Sequence, residues 1–219
     1  ILSSYKGKLL GSIGDLATFS FHETKNIHCG EGGALLINNS KFIKRAKVIR
    51  DKGTNRDLFN KNMVKKYTWL DYGSNYGLSE VNAAILYSQL KQAKKITKKR
   101  IEIFNQYHKL LKNLEIRKLI KRPKVPNYTK HNGHMYYMIV HKNKRELLIN
   151  YLKKKKINTV FHYIPLHSSP FGKFKAKTKS LMKITNMISD SLLRLPMHTK
   201  LSNKNLGFIK RNIYDFFKN

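Results

Sequence analysis

Phe19-Ser20-Phe21-His22-Glu23-Thr24-Lys25-Asn26, followed by Gly30-Glu31-Gly32-Gly33 and the apolar run Ala34-Leu35-Leu36-Ile37, is the stretch on which the reading of this chain turns. Two short apolar runs, Ala17 to Phe21 and Ala34 to Ile37, are separated by glycines and predict two strands around a loop. Just past the first strand, the loop carries a hydroxyl, an imidazole and an amine. The glycine turn after it lets another group approach the backbone closely. A lysine held beside an apolar strand has its ammonium form disfavoured by desolvation, which suits a lysine that must form a Schiff base. The competing reading is a solvated lysine at a strand-to-turn junction, because lysine is abundant here and is normally exposed. The residues alone leave both open.

Working outward, the chain opens in mid-pattern with Ile1-Leu2-Ser3-Ser4 before a Lys-Gly-Lys turn, and an upstream part is expected. Beyond the second strand, Asn38-Asn39-Ser40 makes a turn, and Phe42, Ile43, Ala46 and Ile49 give Lys41 to Asp51 a helical spacing. Gly53 to Gly77 is polar, aromatic and irregular. It reads as a long functional loop, with Tyr67 and Trp69 as core or interface aromatics before sugar platforms. Ser79 is an N-cap for a long helix that starts at Glu80 and runs, with a kink, to about Leu111. Then come a strand from His134 to Val140, a helix from Lys144 to Lys155, a strand from Ile157 to Tyr163 and a helix from Ser180 to Leu193. That order describes a small α/β domain. The expected division is 1–115, ending in a bridging helix, and 116–219.

A chain of 219 residues with 41% hydrophobic composition can bury a real core. It contains no apolar run of membrane-spanning length and no signal-peptide layout, so the expectation is a cytoplasmic protein without membrane association. Cys29 is the single cysteine, so no internal disulfide can form and no CxxC motif exists. No metal site is expected. The formal charge is +33, from 45 Lys+Arg against 12 Asp+Glu, which would ordinarily suggest a nucleic-acid partner. Only nine of those 45 are Arg, and clusters such as Lys153-Lys154-Lys155-Lys156 fall in helical patterns. A solvated basic face is the simpler reading, with a nucleic-acid-binding protein as the alternative.

The ordered motifs resemble the DegT-type family of sugar-nucleotide aminotransferases. They are Gly11-Ser12-Ile13-Gly14-Asp15, Phe19 to Asn26, Gly30-Glu31-Gly32-Gly33-Ala34, Tyr67-Thr68-Trp69, Gly73-Ser74-Asn75-Tyr76, Asn132 to Tyr137, Phe161 to Ser169 and Leu192 to Pro196. The resemblance implies an α/β chain: the C-terminal part of the large domain of a pyridoxal-phosphate-dependent transferase of fold type I, followed by a small α/β domain. It implies pyridoxal 5′-phosphate as cofactor, held by Lys25 as a Schiff base, with Lys25 also shuttling the proton. Ser20 matches a hydroxyl that hydrogen-bonds the cofactor phosphate. Asn75 matches an asparagine that reaches the phosphate in the neighbouring subunit, which implies a homodimer with shared sites. The implied substrates are a nucleotide-linked 4-keto-6-deoxy sugar and an amino-acid donor, glutamate by resemblance. The aspartate that pairs with the pyridinium nitrogen, the stacking ring and a phosphate-binding helix precede the lysine in this family, outside this sequence. An inactive remnant of such an enzyme is a further reading, and a related dehydratase is disfavoured because a histidine replaces the lysine there. His22, Glu31 and Cys29 are read as mainly structural, and for His162 and His167 a packed imidazole and a substrate-facing one are equally weighted.

Overall fold

Local geometry follows the turn chemistry of the sequence. The computed structural model describes residues 1–219 apart from Ala176, Lys179 and Asn219. β1 (Ser4–Tyr5) and β2 (Lys8–Leu9) form an antiparallel hairpin. Its turn residues, Lys6 and Gly7, both have positive φ, the geometry that matches strand twist in tight hairpins. β3 (Leu16–Ser20) and β4 (Gly33–Ile37) pair antiparallel over their whole length, from Leu16 opposite Ile37 to Ser20 opposite Gly33. α1 (Ile43–Arg50) follows the expected turn at Asn39, whose side chain accepts from the Lys41 N–H.

The segment from Gly53 to Gly77 is mostly irregular but contains a short helix, α2 (Arg56–Asn60). Its shape is set by close backbone approach. A Cβ on Gly53 would stand 1.7 Å from the Asp71 carbonyl oxygen, and one on Gly73 would stand 2.0 Å from the Gly53 nitrogen. Tyr67 and Trp69 are not core residues of this chain, Trp69 being 76% exposed. Trp69 instead donates its indole N–H to the Asp71 carbonyl at 2.7 Å.

The long helix is α3 (Glu80–Lys91) and α4 (Ala93–Leu110), broken at Gln92. Ser79 caps α3 by accepting from the Asn82 N–H at 3.3 Å. α5 (Lys112–Ile116), β5 (Ile120–Lys121), β6 (Thr129–Lys130), β7 (Tyr136–Val140) and α6 (Lys142–Lys154) come next. They are followed by β8 (Val160–Phe161), α7 (Pro170–Lys175), α8 (Lys183–Ser191), β9 (Leu192–Leu195) and α9 (Asn203–Phe216).

Several expected boundaries shift, with the largest changes at the strand and the helix on either side of α7. The strand predicted over Ile157 to Tyr163 pairs only at Val160 and Phe161, because β9 starts at Leu192, which is also the C-cap of α8 and gives its N–H to the Ile188 carbonyl. In this register His162 would face Leu192, whose N–H is already given to Ile188, and Tyr163 would face Ser191, which is still in α8. For the same reason the helix predicted to Leu193 stops at Ser191. Leu192 and Leu193 continue an apolar helical pattern, but pairing with Ile139 and Met138 takes them into the sheet.

The chain forms two compact units, residues 1–97 with 127–131, and residues 98–126 with 132–219. The expected division at 115/116 lies inside the second unit. Ile103, Tyr107, Leu111 and Leu114 recur at helical spacing and bury their stripe in that unit's core. There they meet Tyr136, Met138, Leu193, Leu148 and Ile213 around the sheet of order β5-β7-β9-β8. The first unit has a smaller core of Phe21, Ile27, Cys29, Leu86 and Ala93, and it includes β6, which pairs with β1. Among the described residues no helix is long and apolar enough to cross a membrane.

Candidate functional site

The loop between β3 and β4 is closed at its neck by backbone bonds and pinned at its base by buried side chains. Beyond the last strand pair, Phe21 N–H donates to Gly32 O at 2.7 Å, Glu23 N–H to Gly30 O at 2.7 Å and Cys29 N–H to Phe21 O at 2.9 Å. Phe21, Ile27 and Cys29 drive into the first unit's core, and Asn26 is buried with them. Cys29 fills the space that Gly32 leaves, since a Cβ on Gly32 would lie 2.6 Å from its Sγ. From α3, Asn82 Nδ2 donates to Glu31 O at 3.0 Å. This tether had no sequence signal, because Asn82 and Glu31 are far apart along the chain.

Against that fixed base, Lys25 and Ser20 are both exposed. The desolvation of Lys25 expected from its apolar neighbours is therefore not supplied by this chain. The apolar side chains beside it turn into the core and hold the loop from below, so the amine is presented outward. No ion pair holds Lys25 among the described residues. Ser20 Oγ accepts from the His22 N–H at 3.4 Å, which leaves its own hydroxyl proton available for donation.

His22 is held from both sides. Thr24 N–H donates to His22 Nδ1 at 3.2 Å, and the Thr24 hydroxyl lies 2.9 Å from the same nitrogen. An imidazole nitrogen that accepts from an amide carries no proton, so the ring proton sits on Nε2. Nε2 lies 3.4 Å from Glu31 Oε1. His22 thus ties the Lys25 turn to the glycine turn, and the pairing gives Glu31 a role beyond its backbone.

Asn75 is positioned on a different element. It forms an isolated antiparallel bridge with Asp51, flanked by Ser74 N–H to Ile49 O at 2.9 Å and Tyr76 N–H to Arg50 O at 3.1 Å. The side chain is exposed, and no hydrogen bond joins it to Ser20 or Lys25 among the described residues. Ser20 and Lys25 thus belong to one strand-loop unit, whereas Asn75 lies in the segment that bridges to Asp51, just past the end of α1. In the second unit, His167 Nε2 lies 2.9 Å from Asn186 Oδ1, whereas His162 Nδ1 is buried without a hydrogen-bond partner. Burial, and then the charge of Arg194, push the His162 imidazole below its ordinary range.

The strand-loop-strand that carries Lys25 is followed in the chain by a long helix and a small sheet domain, a fold shared with solved aminotransferases. The fold is similar to that of S. venezuelae DesV, solved in complex with a ketimine intermediate, with TM-score 0.86 at 24% identity over 99% of this chain and 55% of that one. The model of the DegT/DnrJ/EryC1/StrS aminotransferase family matches residues 1–213, and the chain belongs to that family. An uncharacterised Methanocaldococcus jannaschii protein is 36% identical over 177 residues, covering 77% of this chain and 45% of that protein. The UDP-4-amino-4,6-dideoxy-N-acetyl-beta-L-altrosamine transaminase of Campylobacter jejuni strain 81-176 is 30% identical over 223 aligned positions, covering 99% of this chain and 56% of the enzyme. The chain thus spans about half the length of the curated relatives it matches.

Proposed function

We propose that the protein carrying this chain is a pyridoxal 5′-phosphate-dependent aminotransferase. It moves an amino group from an amino acid, glutamate in this reading, to the keto carbon of a nucleotide-linked 4-keto-6-deoxy sugar. The product is an amino sugar for surface polysaccharide. The observation that carries the proposal is the outward presentation of Lys25 beside Ser20 on a loop pinned by Phe21, Ile27 and Cys29, in a member of this family.

The residues present fit the cofactor. An aldehyde needs an amine that is not locked in an ion pair, and a phosphate needs neutral donors as well as charge. Lys25 would hold the group through Nζ, and Ser20 would donate its free hydroxyl proton to the phosphate. When bound, the cofactor supplies an electron sink for the carbanion left as the substrate proton departs. Lys25 Nζ, when free, takes that proton and returns it. His22, fixed between Thr24 and Glu31, keeps the turn that carries Lys25 in place. Asn75 would serve the site of a second copy, which makes the working unit a homodimer.

Borohydride reduction of the cofactor-loaded protein, followed by peptide mapping, tests the site. Label on Lys25 is expected; label on Lys6, Lys8 or Lys41 in its place would overturn the assignment. Glutamate-dependent amination of UDP- and dTDP-linked 4-keto-6-deoxy sugars reads the reaction, and its absence from unreduced, cofactor-loaded protein, when a reduced parallel sample carries the label on Lys25, would retire the sugar substrate.

A further inference from the structure

The segment from Gly53 to Gly77 fixes one indole ring and leaves most of it in water. Thr54 and Trp69 form an isolated antiparallel bridge. On either side of Trp69, the Thr68 N–H donates to Asn55 Oδ1 at 2.7 Å and the Leu70 N–H to Gly53 O at 2.8 Å. The ring is tied as well as the backbone. Its N–H donates to the Asp71 carbonyl at 2.7 Å, and a Cβ on Gly53 would stand 3.1 Å from that nitrogen. Asp71 is itself held, since its Oδ1 accepts from the Tyr72 N–H at 2.7 Å and its carboxylate pairs with Arg45 on α1. Yet Trp69 is 76% exposed. With its one polar atom spent on the backbone, what Trp69 shows to water is apolar ring.

An exposed aromatic side chain left to itself samples several rotamers, and ordering it costs entropy that burial does not offset here. A ring fixed before its ligand arrives is what a stacking platform requires, because the ligand then meets a surface already in place. Tyr67 is used differently, its ring packing edge-on against Phe59 with centroids 5.5 Å apart. Charge supplies a second feature. The two acids of the segment are taken, Asp57 by Lys47 and Lys61 and Asp71 by Arg45. No carboxylate pairs with Lys65 or Lys66 among the described residues. Both lysines are exposed and immediately precede Tyr67-Thr68-Trp69 in the chain. Trp69, Lys65, Lys66 and Lys25 all belong to the first unit.

A nucleotide joins a flat heteroaromatic ring to phosphate, the combination that an open indole and two uncompensated lysines suit. Every base has a π-face that can stack on an aromatic side chain. We propose that Trp69 stacks on the base of the nucleotide-linked substrate, with Lys65 and Lys66 supplying positive charge toward its phosphates. The proposal rests on the reading of that substrate given above. A bare sugar ring could also lie on an indole, but it brings no charge for the two lysines to meet.

Fluorescence and titration calorimetry test it. Trp69 is the single tryptophan of this sequence, and the difference between wild type and Trp69→Phe isolates its emission from any other indole of the protein. At physiological salt, where distant lysines are largely screened, UMP and UDP should quench Trp69 saturably and ribose 5-phosphate should not. By calorimetry, Trp69→Leu should weaken UDP about fivefold or more. Trp69→Phe should weaken it less, because a ring remains although the N–H that fixes it is gone. Lys65→Met combined with Lys66→Met should weaken UDP, and the surface control Lys153→Met with Lys154→Met should not. The proposal is overturned if wild type binds no UDP, if Trp69→Leu or the Lys65/Lys66 variant binds it like wild type, if the surface control weakens it as much, or if ribose 5-phosphate quenches as UMP does. A uridine oligonucleotide that quenches at far lower base concentration than UMP would assign the segment to single-stranded nucleic acid. Emission that moves to the red on dilution would give the ring to a second copy. Either result overturns the proposal. Should Trp69→Leu fail to fold, Trp69→Phe and the wild-type quenching decide the matter. UDP bound while Trp69 stays silent, in protein that labels at Lys25 under borohydride, sinks the platform and leaves the cofactor and substrate readings standing. Quenching by UDP with no label at Lys25 does the reverse.

Discussion

A methyl group at Gly32 would stand 2.6 Å from Cys29 Sγ and 3.2 Å from Leu78 Cδ1. Favourable non-bonded contacts lie near 3.5–4.0 Å, so Gly32→Ala forces Cys29 or the backbone to move by about 1 Å. The Sγ cannot retreat easily, because Cys29 is 1% exposed and its neighbours Phe21 and Ile27 fill the core around it. Overpacking of this kind costs about 1–3 kcal/mol. The cost falls on the loop that presents Lys25, because Gly32 O is the acceptor for Phe21 N–H at its neck. As Cys29 is the single cysteine of this sequence and is buried, its labelling by a thiol reagent reads opening of this loop or of the small core around it. Gly32→Ala should speed native-state labelling by roughly 5- to 150-fold relative to an unfolded control, with a tenfold step per 1.4 kcal/mol. Adding Cys29→Ala should relieve the clash and restore protection of the Phe21 amide from hydrogen exchange. A labelling rate within about twofold of wild type, the range of an ordinary surface change, would refute the packing account of the loop.

Lys25→Arg should leave unfolding nearly unchanged and abolish turnover, since Arg keeps the charge but cannot form an imine or accept the proton; turnover above background would sink the role of Lys25. Mixing Lys25→Ala with Asn75→Ala protomers should recover activity in the mixed dimers, and no recovery despite demonstrated subunit exchange would return Asn75 to its own subunit or to no cofactor role. In the second unit, Leu114→Ala should cost about 2–5 kcal/mol in denaturant unfolding, because Leu114 is fully buried. Tyr107→Phe should cost only about 0.5–1.5 kcal/mol by removing the 2.9 Å bond from its hydroxyl to Pro196 O.

The pH dependence of that unit's stability should show Glu115. Burial pushes its carboxyl up, but hydrogen bonds from the Arg122 backbone and side chain, with the Arg122 charge, outweigh burial and hold it below its ordinary 4.5. A lowered folded-state pKa means stability that is fully present above 4.5 and lost as pH falls below it. Glu115→Gln should flatten the stability profile in that acid window. A profile as steep in the variant as in wild type would place the acid sensitivity elsewhere.

Local signals in the sequence were enough for β3, β4, α1 and the Ser79-capped start of α3. Alternation, glycine punctuation and a capping serine act over a few residues and survive in any packing. The placement of Ser20 and Lys25 on one strand-loop unit was legible for the same reason, and the motif order pointed to the family. Tertiary structure decided the rest. Leu192 and Leu193 read as helix until Met138 and Ile139 offered them a sheet, and Ile103, Tyr107, Leu111 and Leu114 joined the second unit because its core was there to receive their stripe. Whether the amine of Lys25 is buried or presented depends on which way Phe21, Ile27 and Cys29 turn, and that is set by Leu86 and Ala93 far along the chain. Residue type and spacing determine what a segment can form. Burial, unpaired donors such as Arg194 Nε and the side a loop presents arise only when distant segments compete for the same space.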